Sequence, residues 1–343
     1  MSLLRPHVLL AALIAQSACR PSIPATDGML TLPDGPRLSY TILGKGADTV
    51  VVLPGSPELS AQYLIESLRP VALTHALLVY DPRGRGRADP VADSALTSTA
   101  EIADLEALRA HLGISQLTLL AHHRGATLAA LYAVRYPEHV RRIVLLAPNP
   151  PGRRQLYAIS ILPKDSVAYA SYLRATAAGQ DTTDPHEFCI RYWGFAFSPM
   201  EVTDRNQVRA LAPAMCSEAP ASLVRRARAG RLVSRSFGLW DLEDTLRRVT
   251  APALVIEGTG PDPVVWAART WAAWLPGGRF LGSTGPVLFP WTKDPTVLDQ
   301  LSNFLQGTWP DRAEHPSLER PVTHDAEASS PPEPARRVAS ASR

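Results

Sequence analysis

The chain has 343 residues, 45% of them hydrophobic and 20% charged, which is enough to bury a large core and long for one compact domain. Its formal net charge of +3, with no basic stripe carrying interleaved aromatics, argues against nucleic acid as a partner.

Met1 to His7 is short and basic, Val8 to Ala15 is apolar, and Gln16-Ser-Ala-Cys19 follows, which is the layout of a secretory signal over residues 1–18. The apolar run is shorter than the roughly 20 residues a bilayer requires, so cleavage is expected. The small residues before Cys19 resemble a bacterial lipobox, with Gln16 where an aliphatic residue is usual. That resemblance implies that Cys19 becomes a lipidated first residue and anchors the chain to a membrane. Residues 19–29 read as a polar tether, and the expected location is the bacterial cell envelope, lipid-anchored or else periplasmic or secreted. Cys189 and Cys216 then remain, and an even count in an exported protein invites a disulfide, with two buried thiols as the alternative.

Arg37 to Leu43 alternates, Gly44-Lys-Gly46 turns, and Thr49 to Leu53 is a continuous apolar run of the kind that suits a strand covered on both faces. A helix is predicted from Ala61 to Leu73 and a buried strand over Ala76–Tyr80. Ile102, Leu105, Leu108 and Leu112 share one face of a helix over Thr99–Leu112. A strand at Gln116–Leu120, a helix at Thr127–Tyr136 and a strand at Val140–Leu146 follow. The alternation defines an α/β fold with a mostly parallel sheet covered by helices on both faces. From Pro148 to about Trp240 the text turns helical and aromatic, as an inserted lid would. Strands at Ala253–Glu257 and Arg279–Leu281, and helices at Val264–Leu275 and Thr296–Leu305, resume the pattern. The domain reading is core at 30–148, lid at 149–240, core at 241–309 and a disordered Pro-, Ser- and Arg-rich tail at 310–343.

Ala121-His122-His123-Arg124-Gly125 has the outline of a nucleophile elbow, G-x-S-x-G, in which a strained strand-to-helix turn tolerates only small flanking residues. Histidine holds the seat of the nucleophile. With Asp81-Pro-Arg-Gly-Arg-Gly86, the run Arg135 to Leu146 and Phe289-Pro-Trp291, in that order and spacing, the chain resembles the alpha/beta-hydrolase superfamily over residues 30 to 310, in particular its lidded proline-iminopeptidase-like and esterase-like members.

The resemblance implies an alpha/beta-hydrolase fold and a Ser-His-acid triad, and this sequence departs from the triad. His123 replaces the nucleophile, and Leu288 stands where the base histidine is usual. Asp262 lies one step beyond the usual acid position, and a turn or helix-capping role competes with a catalytic one. His315 and His324 fall in the tail, a poor place from which to position a base. The oxyanion hole is built from backbone N–H groups, here those of Arg124 and of Ser56 beside Gly55, and such donors tolerate side-chain change, so this nook is expected to persist. His122 is ordinary for the family, and Arg124 either offers a guanidinium to a carboxylate or phosphate or points into the lid surface. His123 reads as a side chain packed under the lid and hydrogen-bonded to Asp262 or water. A metal reading is the lesser one, because adjacent histidines on a tight turn diverge, and no cofactor is expected.

The leading expectation is an exported pseudoenzyme that binds a small molecule, a peptide or a protein partner through a lidded pocket. Two alternatives stay open: a hydrolase of esters, amides or N-terminal-proline peptides with a non-standard site, and a non-hydrolytic enzyme using His123 as general acid or base, with a pH limb near about 6–7.

Overall fold

Eight strands form one sheet in the order β1-β2-β4-β3-β5-β6-β7-β8. They are β1 (Ala25–Thr31), β2 (Arg37–Leu43), β3 (Thr49–Leu53), β4 (Ala76–Asp81), β5 (Leu117–His122), β6 (Val140–Leu146), β7 (Ala253–Gly258) and β8 (Gly278–Ser283). The two pairings made by β2 are antiparallel and all others parallel. This computed structural model describes residues 22–46, 48–57, 59–160, 184, 186–187, 189–190, 216, 218–238, 241–258, 262–284, 294 and 296–317.

The continuous apolar runs became interior strands for a simple reason: alternate residues feed two separate cores. Leu117, Leu119 and Ala121 of β5 join the core under α3 (Ser98–His111), α4 (Gly125–Arg135) and α8 (Asp262–Trp274). Leu120 joins the opposite core, with α1 (Gln62–Ile65), α2 (Arg69–Ala72) and α9 (Val297–Leu305). Each face of the sheet is sealed, as a parallel sheet requires.

Three expected boundaries shift. The tether expected at 19–29 gives way to β1 from Ala25, which pairs residue by residue with β2 although most of its side chains are exposed. Backbone pairing holds it, so hydropathy carries no trace of it. The single helix expected over Ala61–Leu73 is divided into α1 and α2, with Pro70 near the start of the second, where its missing N–H does no harm. The tail expected from 310 is ordered through 317: Glu314 bridges Phe280, and His315 Nδ1 lies 2.7 Å from the Gly278 carbonyl. Gly278 opens β8, so His315 sits at the end of the sheet opposite the elbow and cannot serve as its base.

Within the expected lid, α5 (Arg153–Ser160) and α6 (Pro220–Ser236) are described. Helix α7 (Glu243–Leu246) follows. Arginines fasten α6 to the core: Arg225 donates to the Gly86 carbonyl at 2.8 Å and Arg228 pairs with Asp93 at 2.6 Å. Ser236 Oγ accepts the N–H of Ser98 at 2.7 Å, at the start of α3. Cys189 and Cys216 form a disulfide, both buried in the same core as Leu223 of α6.

Candidate active site at the elbow

The parallel register puts Leu53 beside Ala121 and His122 beside Leu146. The ladder continues one residue past β5, where His123 donates its N–H to the Leu146 carbonyl at 3.0 Å. There the backbone turns: His123 has φ 44°, a left-handed conformation costing about 1–2 kcal/mol for a residue with a Cβ. Helix α4 begins at once, with Ala126 N–H bonded to the His123 carbonyl at 3.1 Å. A Cβ on Gly125 would lie 2.7 Å from the Pro54 carbonyl oxygen, so glycine closes the motif by necessity. The elbow geometry is therefore fully formed around a histidine.

The loop after β3 faces this turn. Gly55 donates its N–H to the Tyr63 hydroxyl at 2.9 Å, and that hydroxyl lies 2.6 Å from His122 Nδ1. A Cβ on Gly55 would meet His122 Nδ1 at 2.5 Å, so this loop can approach only as glycine. The Gly55 carbonyl accepts from the Arg124 N–H at 3.1 Å and lies 3.2 Å from His123 Nδ1. This corrects one expectation: the Arg124 N–H, expected to line an open anion nook with Ser56, is bonded to the Gly55 carbonyl. His123 Nδ1 has that same carbonyl as a partner, which the sequence did not suggest.

His123 retains part of its surface, yet its surroundings remove water from the ring. Desolvation, with a second push from the Arg124 guanidinium, lowers its pKa to about 4, against a smaller upward pull from Gly55. The imidazole is therefore neutral at pH 7. Burial raises the Tyr63 pKa, so its hydroxyl keeps its proton. Behind the turn, Asn149 donates its N–H to the His123 carbonyl at 3.3 Å, accepts Thr127 Oγ1 at 3.2 Å on its side chain, and receives Trp271 Nε1 at 2.6 Å on its own carbonyl.

Asp262 is the first residue of α8, and Leu288 lies outside the described residues. Asp294 ends the segment that follows β8, with Thr296 and Thr284 N–H groups on its two carboxylate oxygens at 2.9 and 3.4 Å. Among the described residues no three histidines, cysteines or acids gather as a metal site. A cavity of about 420 Å³ lies beside α6, lined by Gly84, Val91, Leu96, Arg225 and Arg228, and includes neither His123 nor Ser56. The elbow, where the strain and the shifted pKa coincide, is the better candidate for chemistry.

Tyr63, Asn149 and Trp271 were not singled out in the sequence. Each reads there as a residue of an ordinary apolar or loop stretch, and its polar partner is remote in the chain.

The sequence matches the family model for the alpha/beta hydrolase fold over residues 48–317. The chain belongs to that family. It is 36% identical over 118 residues to a cis-3-alkyl-4-alkyloxetan-2-one decarboxylase from Shewanella oneidensis, spanning 33% of this chain and 36% of that protein. It is 32% identical over 124 residues to a proline iminopeptidase from Xylella fastidiosa, spanning 36% and 39%. The matches thus cover well under half the length of these curated relatives. The crystal structure of the esterase RhEst1 from a Rhodococcus species superposes with a TM-score of 0.59 at 23% identity, over 84% of this chain and 99% of that one, which speaks to the fold alone.

Proposed function

We propose that this chain is an exported member of the alpha/beta hydrolase family that binds a small molecule or peptide at its elbow and does not carry out Ser-His-acid hydrolysis. One observation carries the reading: a complete elbow, strain included, holds His123, and the Arg124 N–H that would receive an oxyanion is bonded to Gly55. Acyl transfer needs those donors free at the moment charge develops on the substrate oxygen. Leu288 in place of a base histidine supports the same conclusion. For export we rely on the signal-like start, the lipobox-like residues before Cys19 and the Cys189–Cys216 disulfide, a bond kept in oxidising compartments. A lipid on Cys19 would tether the domain to the membrane.

The test is labelling by a fluorophosphonate probe and turnover of a chromogenic ester, run on the parent beside a His123→Ser, Leu288→His double variant. A silent parent and a labelled variant support the binding reading; a parent that hydrolyses ester sinks it.

A second reading, turnover through His123, draws on the enzymes named among the relatives and on the neutral imidazole. Its signature is activity that disappears in His123→Ala and has an acid limb near about pH 4, where His123 titrates, instead of the 6–7 of an ordinary histidine.

A further inference from the structure

In a serine-bearing elbow the site offers N–H donors to an acyl oxygen. Here two donors of the elbow are committed to the protein itself. The Arg124 N–H and His123 Nδ1 both face the Gly55 carbonyl, at 3.1 and 3.2 Å. A carbonyl only accepts, so the proton of the neutral imidazole stands on Nδ1, and Nε2 carries a lone pair.

We infer that the elbow receives a neutral hydrogen-bond donor, a hydroxyl or an amide N–H, on Nε2 of the part-exposed His123 ring, and that Tyr63 is the positioning residue that sets this polarity. The inference rests on the binding reading above and supplies its ligand class. Tyr63 acts through Gly55. Its hydroxyl oxygen accepts the Gly55 N–H at 2.9 Å and lies 2.6 Å from His122 Nδ1, which anchors the hydroxyl in place. Gly55 is then held by its N–H on one side and by its carbonyl on the other, and it cannot turn an N–H toward the elbow without breaking one of these bonds. The missing Cβ at Gly55 is what lets His122 and Tyr63 come this close. A cationic donor is disfavoured, because the Arg124 guanidinium already opposes positive charge on the His123 ring.

The test uses the full chain labelled with ¹⁵N-histidine, with His123→Gln to assign the ring. At pH 7 His123 is expected as the Nδ1-protonated tautomer with a bare Nε2. Indole and benzofuran have nearly the same shape, and only indole has an N–H. In NMR titrations indole should bind about three- to tenfold more tightly, the span expected of one hydrogen bond, and should move the Nε2 resonance. Tyr63→Phe, checked for folding by its melting curve, should let His123 sample both tautomers and erase the preference for indole. An Nε2-protonated parent, equal or absent binding of the two probes, or an Nε2 resonance that indole leaves in place overturns the ligand class. A folded Tyr63→Phe with an unchanged tautomer removes Tyr63 from the argument. Fluorophosphonate labelling of the parent would instead sink the binding reading itself, so the two failures are distinguishable.

Discussion

Two loops at the same end of the sheet are built on opposite principles. The elbow at His122–Gly125 is fixed by backbone: a ladder bond to Leu146, a left-handed residue, and glycines where carbonyls and rings press close. The loop after β4 is fixed by side chains. Arg83 grips Asp104 through two hydrogen bonds of 2.7 and 2.5 Å and reaches Asp34 at 2.9 Å, while Arg85 pairs with Glu101 and donates to the Pro57 carbonyl at 2.9 Å. The hydrogen bonds that Arg83 donates to Asp104 raise the Arg83 pKa and keep its charge in place, while burial pushes the Asp104 pKa upward and the same contact pulls against that shift. The difference teaches where change is tolerated. A side chain can be exchanged at the elbow without undoing the turn, whereas the arginine loop loses its shape with its charges.

The largest effect should come from the side-chain-built loop. Arg83→Ala leaves the Asp104 carboxylate, 1% exposed, without its partner, and urea denaturation should show a loss of about 3–5 kcal/mol. A loss below about 1 kcal/mol would break the comparison. The disulfide gives a scale from outside both loops: a Cys189→Ser, Cys216→Ser variant, with a sequence separation of 27, should lose about 3.5 kcal/mol if loop entropy is the cause.

pH sharpens the elbow's side of the contrast. As pH falls below about 6.5, an unfolded chain takes up a proton on His123 that the folded chain refuses until about pH 4, so folding stability falls across that window. Glu257, whose pKa burial raises, works in the opposite direction because the folded state favours its protonated form. Asp294, lowered to about 2, contributes only below its ordinary value of 3.8. The difference between parent and His123→Gln melting curves at pH 7 and 4.5 therefore isolates His123, and the variant should lose less on acidification. The smallest effect is a gain: His123→Gly relieves the left-handed strain at φ 44° and should raise stability by about 1 kcal/mol, less whatever packing the ring supplies.

The interior strands were legible because continuous apolar runs and helical periodicity are local properties of the chain. Strand β1 was not, since its pairing with β2 depends on backbone atoms and buries little. At the site, the sequence identified the seat of His123 and the loop that faces it. It did not reveal the contact among Tyr63, Gly55 and His122, which joins residues 8 and 59 positions apart, nor the carbonyl that decides where the His123 proton stands. Both depend on distances between segments, and side-chain identity does not encode those. The same holds for Asp104 and Glu101, which as sequence are two acids on a helix and in the fold are the counterions of the arginine loop.

The left-handed turn at position 123 has a consequence for how such a protein can change over generations. Its conformational cost falls on any residue with a Cβ and is nearly the same whether that residue ends in a hydroxyl, a carboxylate or an imidazole. Selection can therefore trade one side chain for another at this position while every intermediate still folds, so lineages can gain or lose a chemistry here without first rebuilding the domain that carries it.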